Sequence, residues 1–133
     1  MTPAYRAHRI LKRLSAYIDL VGVGSFSGLP EIRSDDSLLG IYKNSTGISV
    51  LFTFLGVCVG RDDAWSEFIP YDSLESARIA QGKESKRILL QCRNGDGVLI
   101  PVDQGSGENF LDSFEVLRFF DRVIGDLRPL DHP

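Results

Sequence analysis

The sequence predicts an α+β fold, mainly β. About seven antiparallel strands form a barrel or strongly bent sheet, capped by a C-terminal helix and preceded by an extra N-terminal helix. Three observations carry this expectation. Between residues 37 and 102, short runs rich in β-branched and aromatic residues alternate with Gly, Asn, Asp and Pro clusters. Residues 109–127 change to helical spacing and stop at Pro129. The first twenty residues also repeat at intervals of three and four.

The N-terminal helix is expected over residues 4–19. Ala7, Leu11, Leu14, Ile18 and Val21 form its apolar stripe, Arg6, Arg9, Lys12 and Arg13 its polar side, and Pro3 suits a first turn. Gly22, Gly24, Gly28 and Pro30 break it. Strands are then expected at 37–42, 48–54, 57–59, 65–69, 76–80, 87–93 and 98–102. Leu55-Gly56 reads as a tight connection or as a bulge in one longer strand. Asn94-Gly95-Asp96-Gly97 is the clearest hairpin turn, because each pair favours positive φ. Pro101 marks an edge or the end of pairing. Asn109 can cap the last helix, with Asp112 in the capping-box position. Phe110, Phe114, Leu117, Phe120, Ile124 and Leu127 then run along one face, broadened by Leu111 and Phe119.

A chain of 133 residues, 43% hydrophobic and 25% charged, fits one globular domain with a core of its own. Cys58 and Cys92 lie in apolar runs without metal-ligand spacing and read as buried free thiols. The opening residues lack the apolar stretch of a secretory signal. Residues 48–59 are too short and too polar for a membrane span. The expected compartment is the cytosol.

The element order, strands followed by one C-terminal helix, resembles the pleckstrin-homology-like superfold, and its bacterial members in particular. Phe68-Ile69-Pro70-Tyr71, followed by Asp72-Ser73-Leu74, is similar to a strand-closing step of those domains. The resemblance covers residues 37–127 and leaves the N-terminal helix as an addition. It implies a binding platform for lipid headgroups, peptides or proteins. Phosphoinositide-binding relatives place several cations on the first hairpin, where this chain has Lys43 and then Asn44-Ser45-Thr46-Gly47.

No catalytic set, cofactor or metal site is expected. His8 and His132 are isolated, and Asp35-Asp36 and Asp62-Asp63 read as turn residues. Residues 103–108 lack the spacing of a calcium loop. Gly22 to Gly28 follows a helix, whereas a dinucleotide fingerprint must follow a strand. The formal charge of −3 argues against nucleic acid and suits association with a basic partner. The expectation is therefore a non-enzymatic module engaging a protein partner, in the manner of an immunity or inhibitor-type protein. The alternative is a peripheral membrane or lipid-binding module that uses the basic helix. Candidate binding residues are Arg6, Arg9, Lys12 and Arg13, with a homodimer contact as a further use of that helix. Trp65 either anchors the core near a sheet edge or contributes to an interface.

Overall fold

The computed structural model describes residues 1–14, 16–23, 28–44, 47–61, 64–66, 68–80, 87–102 and 111–128. The order is α1 (Pro3–Arg9), a 3-10 turn (Leu11–Arg13), β1 (Tyr17–Asp19), β2 (Leu38–Lys43), β3 (Ile48–Thr53), β4 (Gly56–Arg61), β5 (Ala64–Trp65) and β6 (Ile69–Pro70). A second 3-10 turn (Tyr71–Ser73) leads to β7 (Leu74–Ile79), β8 (Arg87–Cys92), β9 (Gly97–Pro101) and α2 (Leu111–Leu127). The α+β, mainly β class and both terminal helices are as expected.

The barrel is not. All strand pairs are antiparallel, but they form two separate sheets, one in the order β1-β2-β3-β4-β5 with β6 also on β4, the other β7-β8-β9. Nine strands are present among the described residues, against seven expected. One extra comes from the region expected to be helical, where Tyr17, Ile18 and Asp19 pair with Tyr42, Ile41 and Gly40. Another arises because residues 65–69 do not make one strand. β5 pairs with the far end of β4 and β6 with its near end. β3 and β4 are two strands, paired from Ile48↔Arg61 to Phe52↔Val57; Phe54-Leu55 connects them and Gly56 is already the first residue of β4.

The N-terminal helix is correspondingly shorter than residues 4–19. Thr2 caps it by accepting the Tyr5 N–H, and the last helical bond runs from Ile10 N–H to Arg6 carbonyl. Leu14 is already extended. Three and four spacing persists to Ile18, but pairing with β2 satisfies the backbone there and Ile18 stays exposed.

Both faces of the larger sheet are covered, so its strands are apolar runs without polar alternation. On one face Leu39, Tyr42, Val50, Phe52 and Val57 join α1, α2 and the second sheet in the main core. On the other, Ile41, Leu51 and Cys58 meet Leu20, and Leu29, Leu38 and Trp65 pack over them. In the main core, Phe119 stands edge-on to Phe52, with ring centres 5.2 Å apart, and to Tyr71 at 5.9 Å.

The buried stripe of α2 is rotated from the expected one. Val116, Phe119, Phe120, Val123 and Ile124 are buried, whereas Phe114 and Leu127 are exposed. Asp112 is buried, and its Oδ2 accepts the Tyr42 hydroxyl at 2.6 Å. The expected cap Asn109 lies outside the described residues, as do residues 62–63, 103–108, 129 and 132. Both cysteines are buried and free.

Candidate functional site: the cleft between the first helix and the first strand

Buried Ala7, Ile10, Leu11 and Leu14 fasten the N-terminal segment to the core. The chain then turns through Leu11–Arg13 and runs back as β1 along the edge of the larger sheet. A cleft of about 160 Å³ opens between this strand and the helix. Ala4, Ala7, Val21 and Leu39 give it an apolar lining, while His8, Lys12, Tyr17 and Asp19 bring polar groups.

Gly40 makes room for the Tyr17 phenol. A Cβ there would lie 2.1 Å from Tyr17 Cζ and Oη, and 2.7 Å from the Ile18 carbonyl oxygen. Such a close approach is a reason for glycine inside a strand. The Tyr17 hydroxyl has no hydrogen-bond partner among the described residues. Burial, reinforced by the Asp19 carboxylate, pushes its pKa above the ordinary tyrosine value. Asp19 accepts the Val21 N–H on Oδ1 at 2.9 Å, and its Oδ2 lies 3.8 Å from Lys12 Nζ.

The four cations expected to act together are divided. Arg6 is a fastening. Its Nε and Nη2 donate to Asp126 Oδ2 and Oδ1 at 2.8 and 2.9 Å, tying α1 to α2. That bond holds the Asp126 carboxyl below its ordinary pKa in spite of burial, and raises that of Arg6. Lys12 belongs to the cleft. Arg9 and Arg13 are exposed and make no ion pair among the described residues. Trp65 is half-buried on the opposite face of the larger sheet. Its ring lies over Gly60 and its Nε1 donates to the Gly28 carbonyl at 2.9 Å. It anchors the segment that crosses that face and is remote in the fold from the cleft.

Sequence reasoning set His8 aside and placed Tyr17 and Asp19 within a helix. The available signal was Gly40 in a strand-like run, together with Tyr17-Ile18-Asp19, which suits a strand as well as a helix end.

A second cavity, of about 310 Å³, lies between residues 30–36 and the β4 region, lined in part by Pro30, Ile32, Cys58 and Phe68. Of its two acidic residues, Glu31 and Asp36, the second is committed to the fold. Asp36 accepts the N–H groups of Ser37 and Leu55 and the Thr53 hydroxyl, at 2.7–3.0 Å. Burial, with a contribution from Asp36, pushes the Cys58 thiol up to about 11, which keeps it protonated and unreactive at neutral pH. Among the described residues, no three His, Cys, Asp or Glu side chains gather as metal ligands would. Nor is any helix there long and apolar enough to cross a membrane.

No protein-family model matches the chain, and no match is found among curated proteins or solved structures.

Proposed function

We propose that the chain is a non-enzymatic binding module of pleckstrin-homology-like type, engaging a protein partner through the solvent side of α1 and of the 3-10 turn that follows it. The observation that carries this is the division of labour on the N-terminal segment. Ala7, Ile10, Leu11 and Leu14 are spent on the core and Arg6 on Asp126, so Arg9 and Arg13 stand on a fixed support facing solvent. A rigid surface with free guanidinium groups suits recognition of a folded partner, since little ordering cost arises on binding. The chain's net charge favours a basic partner, but the local charge here favours an acidic patch on that partner. A larger sheet, a three-stranded sheet and a closing C-terminal helix support the superfold reading.

Affinity capture with the tagged chain from its native host tests this. One partner should be recovered repeatedly, and much less of it by an Arg9→Glu/Arg13→Glu variant. Finding no specific partner at low salt, or capture indifferent to both charges, overturns the reading. An immunity or inhibitor-type role adds that the captured partner loses activity when bound. The membrane alternative has less support. A helix that lies in a bilayer surface needs a free apolar face, and that of α1 is buried. Co-sedimentation with anionic vesicles, abolished by Gln at Arg9 and Arg13, would reverse this preference.

A further inference from the structure

The N-terminal segment carries two ion pairs of opposite character. Arg6 and Asp126 close on each other at 2.8 and 2.9 Å and use both carboxylate oxygens. Lys12 Nζ stands 3.8 Å from Asp19 Oδ2, beyond hydrogen-bond length, with the two side chains 51% and 40% exposed. Lys12 and Asp19 both line the cleft, and the ammonium and Asp19 Oδ2 keep hydrogen-bonding capacity to spare. The Tyr17 hydroxyl adds a part-buried group without a partner among the described residues. Apart from the His8 imidazole, the remaining lining, Ala4, Ala7, Val21 and Leu39, is apolar.

We propose that this cleft is a binding site for a compact zwitterion of the free α-amino-acid class. Its carboxylate is taken by Lys12 and the Tyr17 hydroxyl, its ammonium by Asp19, and a small aliphatic side chain by the apolar lining. Size guides the choice first. A cavity near 150 Å³ accommodates benzene, so this open cleft of about 160 Å³ suits a group of about six to eight heavy atoms. Charge guides it next. A simple carboxylate would face Asp19 and a simple amine would face Lys12, whereas a molecule with both signs satisfies both. Because the two protein charges are close together, the ligand charges must be close too, as they are on one α-carbon.

Titration of the full chain with L-valine, isovalerate and isobutylamine, followed by backbone amide NMR up to about 10 mM, tests the proposal. L-valine should produce saturable shifts at residues 4–12 and 17–21, with the two singly charged probes at least about tenfold weaker. Lys12→Gln and Asp19→Asn should each weaken L-valine by about tenfold, and Tyr17→Phe by about threefold, the amide spectrum reporting that each remains folded. Three results would overturn the site: no saturable shift with L-valine, equal binding of either singly charged probe, or undiminished binding by folded Lys12→Gln and Asp19→Asn. The proposal does not rest on the protein-partner reading. The Arg9→Glu/Arg13→Glu variant should lose the partner and keep L-valine.

Discussion

Replacing Asp126 by Asn should loosen α1 from the rest of the fold. The wild-type contact is a two-point guanidinium–carboxylate bond, with side chains only 21% and 15% exposed. An exposed ion pair contributes ~0–1 kcal/mol, and breaking a buried one costs ~3–5 kcal/mol. Hydrogen bonds to charged groups stabilise by ~1.5–3 kcal/mol each. For this part-buried pair the expected loss is about 2–3 kcal/mol, since Asn keeps the shape but one good acceptor at most. At ~3–5 °C per kcal/mol for a domain of this size, the melting temperature should fall by about 6–15 °C. Calorimetry or thermal circular dichroism reads this directly. Combining Asp126→Asn with Arg6→Ala should cost clearly less than the sum of the two changes, because they share one interaction. The dependence on pH has a defined sign. An unfolded aspartate titrates near ~3.9 and the folded group lower, so the stabilisation is whole above about pH 4. It drains away as pH falls through the folded value, and Asp126→Asn should lack that component. Single variants within about 0.5 kcal/mol of wild type, or an additive double variant, would refute the claim that this contact holds α1 in place.

Gly40→Ala should destabilise by about 1–3 kcal/mol in thermal unfolding, because its Cβ meets both the Tyr17 phenol and the backbone of β1. In a Tyr17→Ala background the same change should cost less but not nothing, since the Ile18 carbonyl contact remains. Tyr42→Phe removes the donor to Asp112 and should cost about 1.5–3 kcal/mol in urea denaturation, most of it from the buried carboxylate left behind. In the native protein Cys58 and Cys92 should react slowly with an aromatic disulfide reagent at neutral pH, and both promptly in denaturant. The Cys58 pKa is raised when folded, so its contribution to stability is whole below about pH 8.5 and declines as pH rises toward about 11.

Much of the fold was legible because the informative signals are local. Turn residues, β-branched runs and a proline stop act over a few positions, and they located most strands and the C-terminal helix to within a few residues. The misreadings share one cause. Residues 17–19 follow helical spacing, yet β2 offers them hydrogen bonds that isolated periodicity cannot reveal. The expected stripe on α2 included Phe114 and Leu127, which are exposed, as well as Phe119, Phe120 and Ile124, which are buried; Phe119 faces Phe52 and Tyr71, and that meeting fixes which side of the helix is inside. Barrel closure likewise depends on contacts between distant strands, and here the two sheets remain separate.

The candidate site was only partly visible for the same reason. Arg6, Arg9, Lys12 and Arg13 look alike on a helical wheel. Asp126, 120 residues away, claims the first, Asp19 on a returning strand draws the third toward a cleft, and the other two are left in solvent. The amino-acid sequence by itself determined an α+β chain with antiparallel strands between two helices, because periodicity and turn chemistry are written in neighbouring residues. Only the tertiary structure decided that the first helix is short and locked down, that its cations have three different uses, and that a cleft lies beside it. Those outcomes depend on partners distant in sequence, whose proximity exists only after the chain has packed.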